Sequence, residues 1–222
     1  MVRPLFVTAF ALAGLAVCFA GEAPEPEKPA TLEPGTYAHI QTAKGEIVFR
    51  LFTELTPRTA ENFIQLARGE RPFKTPEGRW VQRPFYDGLT FHRIEDGDLK
   101  LIQGGCPEGD GTGGPGYQID GETTDELTFD EPGMVAMANS GRPNTAGSQF
   151  FITAAPATQL KGRYTVFGQV VRGHDVVEAI SQMAARAKRS GRSTIHLARD
   201  PVVMTAVTIE EVEPEAPAEV EE

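Results

Sequence analysis

The chain has 222 residues, of which 40% are hydrophobic, and a formal net charge of −10. This length accommodates one domain with a sizeable core and excludes two large domains. The acidity is concentrated near the ends: residues 21–34 carry a net charge of −3, residues 210–222 carry −7, and the stretch 35–209 carries −1. A nearly neutral body argues against a nucleic-acid-binding protein.

Residues 1–20 have the pattern of a secretory signal peptide. A single arginine precedes an uncharged run over 5–17, and a small residue ends the segment. The run is shorter than the roughly 20 apolar residues of a membrane-spanning helix, so we expect no membrane span. We therefore expect an exported protein, located in the periplasm or secreted. Cys18 leaves an alternative open, because residues 15–18 loosely resemble a lipoprotein box in which this cysteine would carry a lipid anchor.

Three further segments are expected after the signal peptide. Residues 21–34 form a linker rich in Pro and Glu, too polar to bury a core. A single domain is predicted over 35–211, and 212–222 is expected to be an acidic disordered tail. If Cys18 leaves with the signal peptide, Cys106 has no partner for an intramolecular disulfide.

The domain begins with a predicted hairpin and a predicted helix. Segments 37–41 and 45–52 flank a Lys-Gly turn, and apolar residues alternate along the second segment. Thr56 is a natural N-cap, and Pro57 fits the first helical position, where its missing N–H has no cost. Apolar residues then follow at helical spacing until Gly69, the predicted C-terminal stop.

The rest of the domain reads as short strands separated by turns, after a charged loop over 70–84. A second helix fits 174–187, and the basic segment 185–200 is interpreted as an exposed insertion before the last strand. About seven or eight short strands and two helices, without a β-α-β rhythm, favour an antiparallel sheet closed into a barrel with helices over its ends. The predicted strands after the hairpin are 89–94, 99–103, 134–138, 149–153, 164–171 and 202–209.

The motifs of several enzyme classes do not occur in the sequence. The glycine-rich run 109–116 is not followed by a helical pattern, so it is neither a P-loop nor a dinucleotide fingerprint. The four histidines fit no close-spaced metal motif, although spacing alone leaves open a site assembled in the fold. Ser148 does not lie in a G-x-S-x-G nucleophile elbow. We expect neither a cofactor nor a metal.

A series of motifs in the domain together resembles the cyclophilin family of peptidyl-prolyl cis-trans isomerases, from about residue 36 to 212. The resemblance implies a mainly β protein, a closed eight-stranded antiparallel barrel capped by two helices. It also implies a monomer without cofactor or metal that acts on proline-containing polypeptides, here unfolded or exported ones. The motifs are FHRI at 91–94, QGG at 103–105, GTGGPGY at 111–117, MVAMANSG at 134–141, NTAGSQFFIT at 144–153 and LKGRYTVFGQVVRG at 160–173.

The resemblance also assigns roles to individual residues. Arg93 matches the catalytic arginine of the family, Gln103 matches a glutamine that contacts the substrate backbone, and Gln149 matches one that helps to orient the arginine. The remaining matches concern the bound peptide: Phe151 is the floor of the proline pocket, Leu160 and Leu101 line it, Ala138 and Asn139 lie beside the peptide, and Tyr164 stands where many members have histidine.

Elementary chemistry is consistent with these residue types. Rotation about an X–Pro bond breaks amide resonance but no covalent bond, so the reaction needs neither a nucleophile nor a strong base. The enzyme must hold the proline ring in an apolar pocket and bind the twisted state better than either planar one. A guanidinium is always protonated and presents rigidly arranged donors, so Arg93 can serve the imide nitrogen or the proline carbonyl.

The stretch between Arg93 and Gln103 departs from the family pattern. It is two residues longer than in most relatives, and it is acidic. Lys100 stands where a pocket phenylalanine is expected, unless the insertion lets Leu99 fill that place. An alternative therefore stays open: a catalytically weak proline-peptide-binding domain, or a chaperone or scaffold domain, on the same fold.

Overall fold

The computed structural model describes residues 31–190 and 193–214 of the chain. The predicted signal peptide, most of the predicted linker and most of the predicted acidic tail lie outside the described residues. The elements are β1 Gly35–Thr42, β2 Gly45–Leu51, α1 Pro57–Arg68, β3 Phe73–Lys74, β4 Trp80–Val81, β5 Thr90–Asp96, β6 Lys100–Gly104, β7 Met134–Met137, β8 Phe150–Thr153, a 3₁₀ turn Thr158–Leu160, β9 Val166–Arg172, α2 His174–Ser181, β10 Ala185–Ser190 and β11 Ser193–Val212.

Eight strands form a closed antiparallel barrel, as the sequence predicts. Their order is β1-β2-β9-β7-β8-β6-β5-β11, and β11 pairs again with β1 to close the ring. The strand β10 adds to the side of β11 as the first strand of a hairpin. Closure leaves no free edge in the barrel itself, which is the usual way in which small all-β proteins protect their backbone hydrogen bonds. The short strands β3 and β4 form a separate two-stranded sheet within the predicted loop over 70–84.

The helix α1 begins and ends where the sequence predicts, but its N-terminus is stabilised differently. Thr56 is the N-cap residue, yet its hydroxyl donates to the carbonyl of Phe52 and makes no cap hydrogen bond. The carboxylate of Glu122 accepts instead from the backbone N–H of Arg58 at 3.2 Å and of Thr59 at 2.7 Å. A negative charge at this end also complements the helix dipole. Gly69 ends the helix in the left-handed conformation, with φ of 73°.

The predictions for the segment after His174 are partly wrong. The helix α2 ends at Ser181 and not at 187, because its buried face of Val176, Val177 and Ile180 does not continue into the basic residues that follow. Those residues belong to β10, which pairs with β11 from Ala185 opposite Ala198 to Ser190 opposite Ser193. The predicted exposed insertion is therefore a hairpin of the sheet.

Two neighbouring hydrophobic clusters lie on the two faces of the barrel wall. The larger one fills the interior under the helices and includes Phe63 of α1 in edge-to-face or stacked contact with Phe49, Tyr86 and Phe150. The smaller one contains Phe151, the next residue of β8. Successive side chains of a strand point to opposite faces, so Phe150 stabilises the core while Phe151 is placed outside it.

Candidate active site

One row of residues crosses the barrel wall and places the predicted site residues side by side. Arg93 on β5 pairs with Gln103 on β6, and Gln103 pairs with Phe151 on β8. Phe151 in turn pairs with Ala136 on β7. Directly opposed residues of an antiparallel pair share one face, and neighbouring strands lie about 5 Å apart. The barrel therefore fixes the arginine, the glutamine and the aromatic ring on the same face.

On the β6 side, the Arg93 guanidinium is held by a chain of amides, which we call the amide arm (Gln103 and Gln149). The Nη1 of Arg93 donates to Oε1 of Gln103 at 3.0 Å, and Nε2 of Gln103 donates to Oε1 of Gln149 at 2.8 Å. The Nε2 of Gln149 then donates to the carbonyls of Gly111 at 3.1 Å and Gly113 at 2.7 Å. These contacts fix the orientation of both amide groups, because each oxygen must accept and each NH₂ must donate.

On the opposite side, the guanidinium is held by a carboxylate, in what we call the carboxylate arm (Glu95 and His196). The Nε of Arg93 donates to Oε1 of Glu95 at 2.9 Å. The Oε2 of Glu95 lies 2.5 Å from Nδ1 of His196, and the backbone N–H of His196 donates to Oε1 of Glu95 at 3.2 Å. Burial, the largest single influence, raises the pKa of Glu95, but the hydrogen bonds from His196 and Arg93 together hold this pKa below its usual value.

The two arms leave part of the guanidinium unoccupied. An arginine has five N–H donors, and within the described residues Arg93 uses one on Nε and one on Nη1. The side chain is 26% exposed, so the remaining donors can reach a ligand from solvent. The arrangement presents a rigidly oriented cation whose free N–H groups lie beside an apolar surface.

That apolar surface is a cluster around Phe151. Phe129 stacks on the Phe151 ring at a centroid distance of 6.0 Å, and Tyr164 meets it edge-on at 5.2 Å. Leu101 and Leu160 belong to the same cluster, as predicted for a proline pocket. The other buried members are Met134, Ala136, Ala157 and Val166. Such a surface suits a small aliphatic ring that carries no hydrogen-bond donor.

The segment Ala138-Asn139 borders the Phe151 cluster and has backbone groups available for a peptide. The N–H of Ala138 is used, because it donates to the carbonyl of Gln149 at 2.9 Å. The side chain of Asn139 holds the neighbouring loop, donating to the carbonyl of Arg163 at 3.0 Å and accepting from the N–H of Gly141 at 2.9 Å. Among the described residues, no partner bonds the backbone N–H or C=O of Asn139. An extended peptide can therefore pair with this residue.

The acidic insertion lengthens the β5–β6 hairpin and turns Lys100 away from the pocket. Asp96 pairs with Lys100 at the end of the ladder, and their side chains form an exposed ion pair at 3.5 Å. Leu99 packs against the Phe151 cluster instead. Of the two alternatives that the sequence leaves open, the geometry favours Leu99 as the residue beside the pocket.

Behind Arg93, His92 lies on the opposite face of β5 and is almost fully buried. Neither ring nitrogen has a hydrogen-bond partner among the described residues. Burial lowers the pKa of His92 to about 4, so the ring is neutral near pH 7. A neutral ring beside Arg93 adds no second cation to the site.

Comparison with known proteins identifies the family. The family model for cyclophilin-type peptidyl-prolyl cis-trans isomerases matches residues 37–212. The chain belongs to the cyclophilin family. Peptidyl-prolyl cis-trans isomerase B of Streptomyces anulatus is 46% identical to it over 148 residues, which are 65% of this chain and 83% of that protein. Peptidyl-prolyl cis-trans isomerase A of Mycobacterium tuberculosis is 43% identical over 175 residues, covering 78% and 91% respectively.

A solved cyclophilin shares the fold. The crystal structure of a cyclophilin-type isomerase from Cryptosporidium parvum, determined in the presence of the dipeptide Ala-Pro, superposes with a TM-score of 0.63 and 30% sequence identity. The match covers 79% of this chain and 99% of that structure. The family, the barrel and its two helices, all predicted from the sequence, are confirmed.

All nine site residues that the sequence predicts lie in one region on one side of the barrel. Several residues that contact them there are not indicated by the sequence. Phe129 and Met134 complete the Phe151 cluster: Phe129 is an isolated apolar residue in an acidic loop, and Met134 begins a predicted strand without any sign that it lies beside Phe151. Glu95 was noted as part of an acidic insertion and not as a contact of Arg93. His196 is more than 100 residues away in sequence, and no spacing connects it to Glu95.

The part of the chain that the structure describes has neither a metal-ligand cluster nor a helix that could span a membrane. In residues 31–190 and 193–214, no three His, Cys, Asp or Glu side chains meet in a way that could hold a metal ion. Over the same residues, neither helix of this cyclophilin has the length and apolar character needed to cross a membrane.

Proposed function

We propose that this cyclophilin accelerates the cis–trans isomerisation of X–Pro bonds in polypeptide clients, with Arg93 stabilising the twisted bond. The observation that carries the proposal is the row Arg93, Gln103 and Phe151 on three adjacent strands. It places a rigid donor next to an apolar pocket at a spacing that the barrel fixes.

In the proposed mechanism, the pocket holds the proline ring while the residue before it rotates. The ring lies against Phe151, Leu101 and Leu160, and the client backbone pairs with Asn139 as an added strand. Because the ring and the backbone after it are fixed, thermal motion turns the preceding carbonyl. Tyr164, which packs edge-on against Phe151, closes one side of the pocket.

Arg93 supplies the electrostatic part. As the C–N bond twists, resonance is lost against a barrier of about 18–20 kcal/mol. The nitrogen becomes pyramidal and gains a lone pair that can accept a hydrogen bond. An N–H of Arg93 meets this lone pair or the proline carbonyl, and the interaction is stronger in the twisted state than in either planar state. The amide and carboxylate arms keep the donor in place, so little reorganisation is needed during the reaction.

We further propose that the protein works outside the cytoplasm, in the periplasm or after secretion, as a monomer. The signal-peptide pattern of residues 1–20 supports export, and a lipid anchor at Cys18 is the alternative. The mass of the mature N-terminus distinguishes the two: a chain beginning at Gly21 without lipid supports secretion, whereas a diacylated Cys18 supports the anchor. Light scattering of the purified protein tests the monomer.

The activity is tested by the isomerisation rate of a short Ala-Pro peptide, measured by NMR exchange. We expect the wild-type protein to accelerate it and Arg93→Ala to lose about 100-fold or more of kcat/KM. Arg50→Ala, which removes an exposed arginine on β2, is the matched control and should keep full activity. No acceleration by a folded wild-type protein would contradict catalysis and leave a proline-peptide-binding domain.

A further inference from the structure

The contact between Arg93 and Glu95 lies at the end of β5, where the acidic β5–β6 hairpin begins. Arg93 and Glu95 are two residues apart on β5, so their side chains lie on the same face of the strand. Their hydrogen bond measures 2.9 Å, and the Glu95 side chain is 13% exposed. A charge-assisted contact with little exposure to water is stronger than an ordinary surface ion pair. Glu95 can therefore hold the guanidinium in one orientation.

Glu95 is itself held by the β10–β11 hairpin. His196 gives it two contacts, one from the ring and one from the backbone N–H, so that both carboxylate oxygens are engaged. His196 lies next to the place where β11 meets β5, since Leu197, the next residue of β11, pairs with Arg93. Leu197 is buried, which anchors the hairpin beside the arginine.

We propose that Glu95 and His196 are positioning residues for the isomerisation, which hold Arg93 so that its free N–H groups face the proline pocket. The inference rests on the proposed function, because it concerns the efficiency of the same site. Arg93 has a long side chain with many rotamers, and the amide arm contacts it at Nη1 alone. The second contact, at Nε, fixes the rotation of the planar group about its own axis. Together the two arms define the plane of the guanidinium.

The arrangement makes a distinct prediction for kinetics. Positioning residues that touch no substrate should leave ground-state binding unchanged and affect the step in which the bond twists. Loss of either residue should therefore reduce kcat and leave KM nearly unchanged. A merely structural role would instead appear as lower stability, with kcat unchanged in the folded fraction.

The experiment compares paired variants at each position. Glu95→Leu removes the carboxylate, and we expect about a tenfold loss of kcat for an Ala-Pro peptide, since small misplacements of catalytic groups are costly. His196→Leu removes the ring donor and should lower kcat in the same direction. His196→Asn keeps an N–H near the position of Nδ1 and should restore most of the lost rate. Arg189→Met removes a charge from the same hairpin, contacts neither arm and should behave as wild type.

A spectroscopic readout makes the test independent of rate. The ¹⁵Nε–H resonance of Arg93 should shift in Glu95→Leu and in His196→Leu, and return towards the wild-type position in His196→Asn. Unchanged kcat and an unchanged Arg93 resonance in folded Glu95→Leu would overturn the inference. That failure differs from failure of the proposed function, in which the wild-type protein itself would be inactive.

Discussion

The two sides of Arg93 are held by groups of different chemical character. On one side, the amide arm is neutral and is built from a buried glutamine on β6 and a partly buried one just before β8. On the other side, the carboxylate arm is charged, reaches a half-exposed histidine and depends on the part of β11 that pairs with β10. A neutral arm holds the arginine without changing with pH, whereas a charged arm binds more strongly but can be titrated. The comparison shows how one side chain can be fixed by two independent parts of a fold.

The two arms also differ in whether the sequence predicts them: the residues of the amide arm match the family motifs, and those of the carboxylate arm do not. Gln103 and Gln149 lie within compact motifs, next to the glycines and aromatic residues that the barrel requires. Gly105, for example, has φ of 79°, and a Cβ there would lie 2.4 Å from the carbonyl oxygen of Ser148. Glu95 and His196 lie in segments that depart from the family pattern. They come together through the pairing of β11 with β5 and β10, which the sequence does not predict.

The largest effect is expected from breaking the amide arm with Gln103→Leu. This change removes the acceptor for Nη1 of Arg93 and leaves the side-chain oxygen of the partly buried Gln149 without its donor. We expect about a 100-fold lower kcat/KM for an Ala-Pro peptide. Gln169→Leu, a change of the same kind on β9, should have little effect. A loss below about threefold would mean that the carboxylate arm alone suffices to orient Arg93.

Features that depend on residues close together in the sequence are predicted correctly, whereas features that depend on residues far apart in the sequence are not. Strand alternation around Phe150 and Phe151 and the αL stop at Gly69 are local, so the sequence predicts them correctly. The hydrogen bonds to the N-terminal N–H groups of α1 come from Glu122, a residue more than 60 positions away, and no local pattern indicates them. The sequence predicts the end of a helix and an exposed insertion where β10 lies, because the strand depends on its pairing with β11 and the local residues do not indicate that partner.

A smaller effect is expected on the pH dependence of stability, because the carboxylate arm can be titrated and the neutral amide arm cannot. The pKa of Glu95 is held below its usual value, so its contribution to stability is present above about pH 4.5 and is lost as the pH falls through its folded-state pKa. Wild-type protein should therefore lose more free energy of unfolding between pH 5 and pH 3 than Glu95→Gln does. Denaturant titrations at each pH measure this difference, in which the contributions of His92 and other groups cancel. Parallel curves would show that Glu95 gains nothing from its charge.

A weaker effect on kcat/KM is expected from Leu99, which tests whether the acidic β5–β6 hairpin contributes to the proposed proline pocket as well as holding Arg93. Leu99→Ala shortens a side chain that packs against the Phe151 cluster, and we expect about a threefold loss of kcat/KM through weaker binding. Lys100→Ala on the same hairpin faces away and should leave the activity unchanged. If Lys100→Ala is the more damaging of the two, the orientation of the hairpin is wrong.

The smallest effect is expected for Asp96→Asn. Asp96 and Lys100 form an ion pair with both side chains about half exposed, and such pairs contribute little. The free energy of unfolding should change by less than about 0.5 kcal/mol, which distinguishes an exposed pair from the enclosed contact of Glu95 one residue earlier. A thermal or denaturant unfolding curve suffices, and a large loss of stability would indicate that the end of the hairpin is fixed by this pair.

We propose that the oriented guanidinium of Arg93, and not simply a positive charge, stabilises the twisted bond. The most direct measurement is the isomerisation rate of an Ala-Pro peptide with Arg93→Lys, together with the affinity of the variant for the same peptide. Lysine keeps the charge but lacks the planar fork that both arms hold. We predict unchanged peptide binding and a loss of kcat of about 100-fold, close to that of Arg93→Ala. A lysine variant with nearly wild-type kcat would contradict the account.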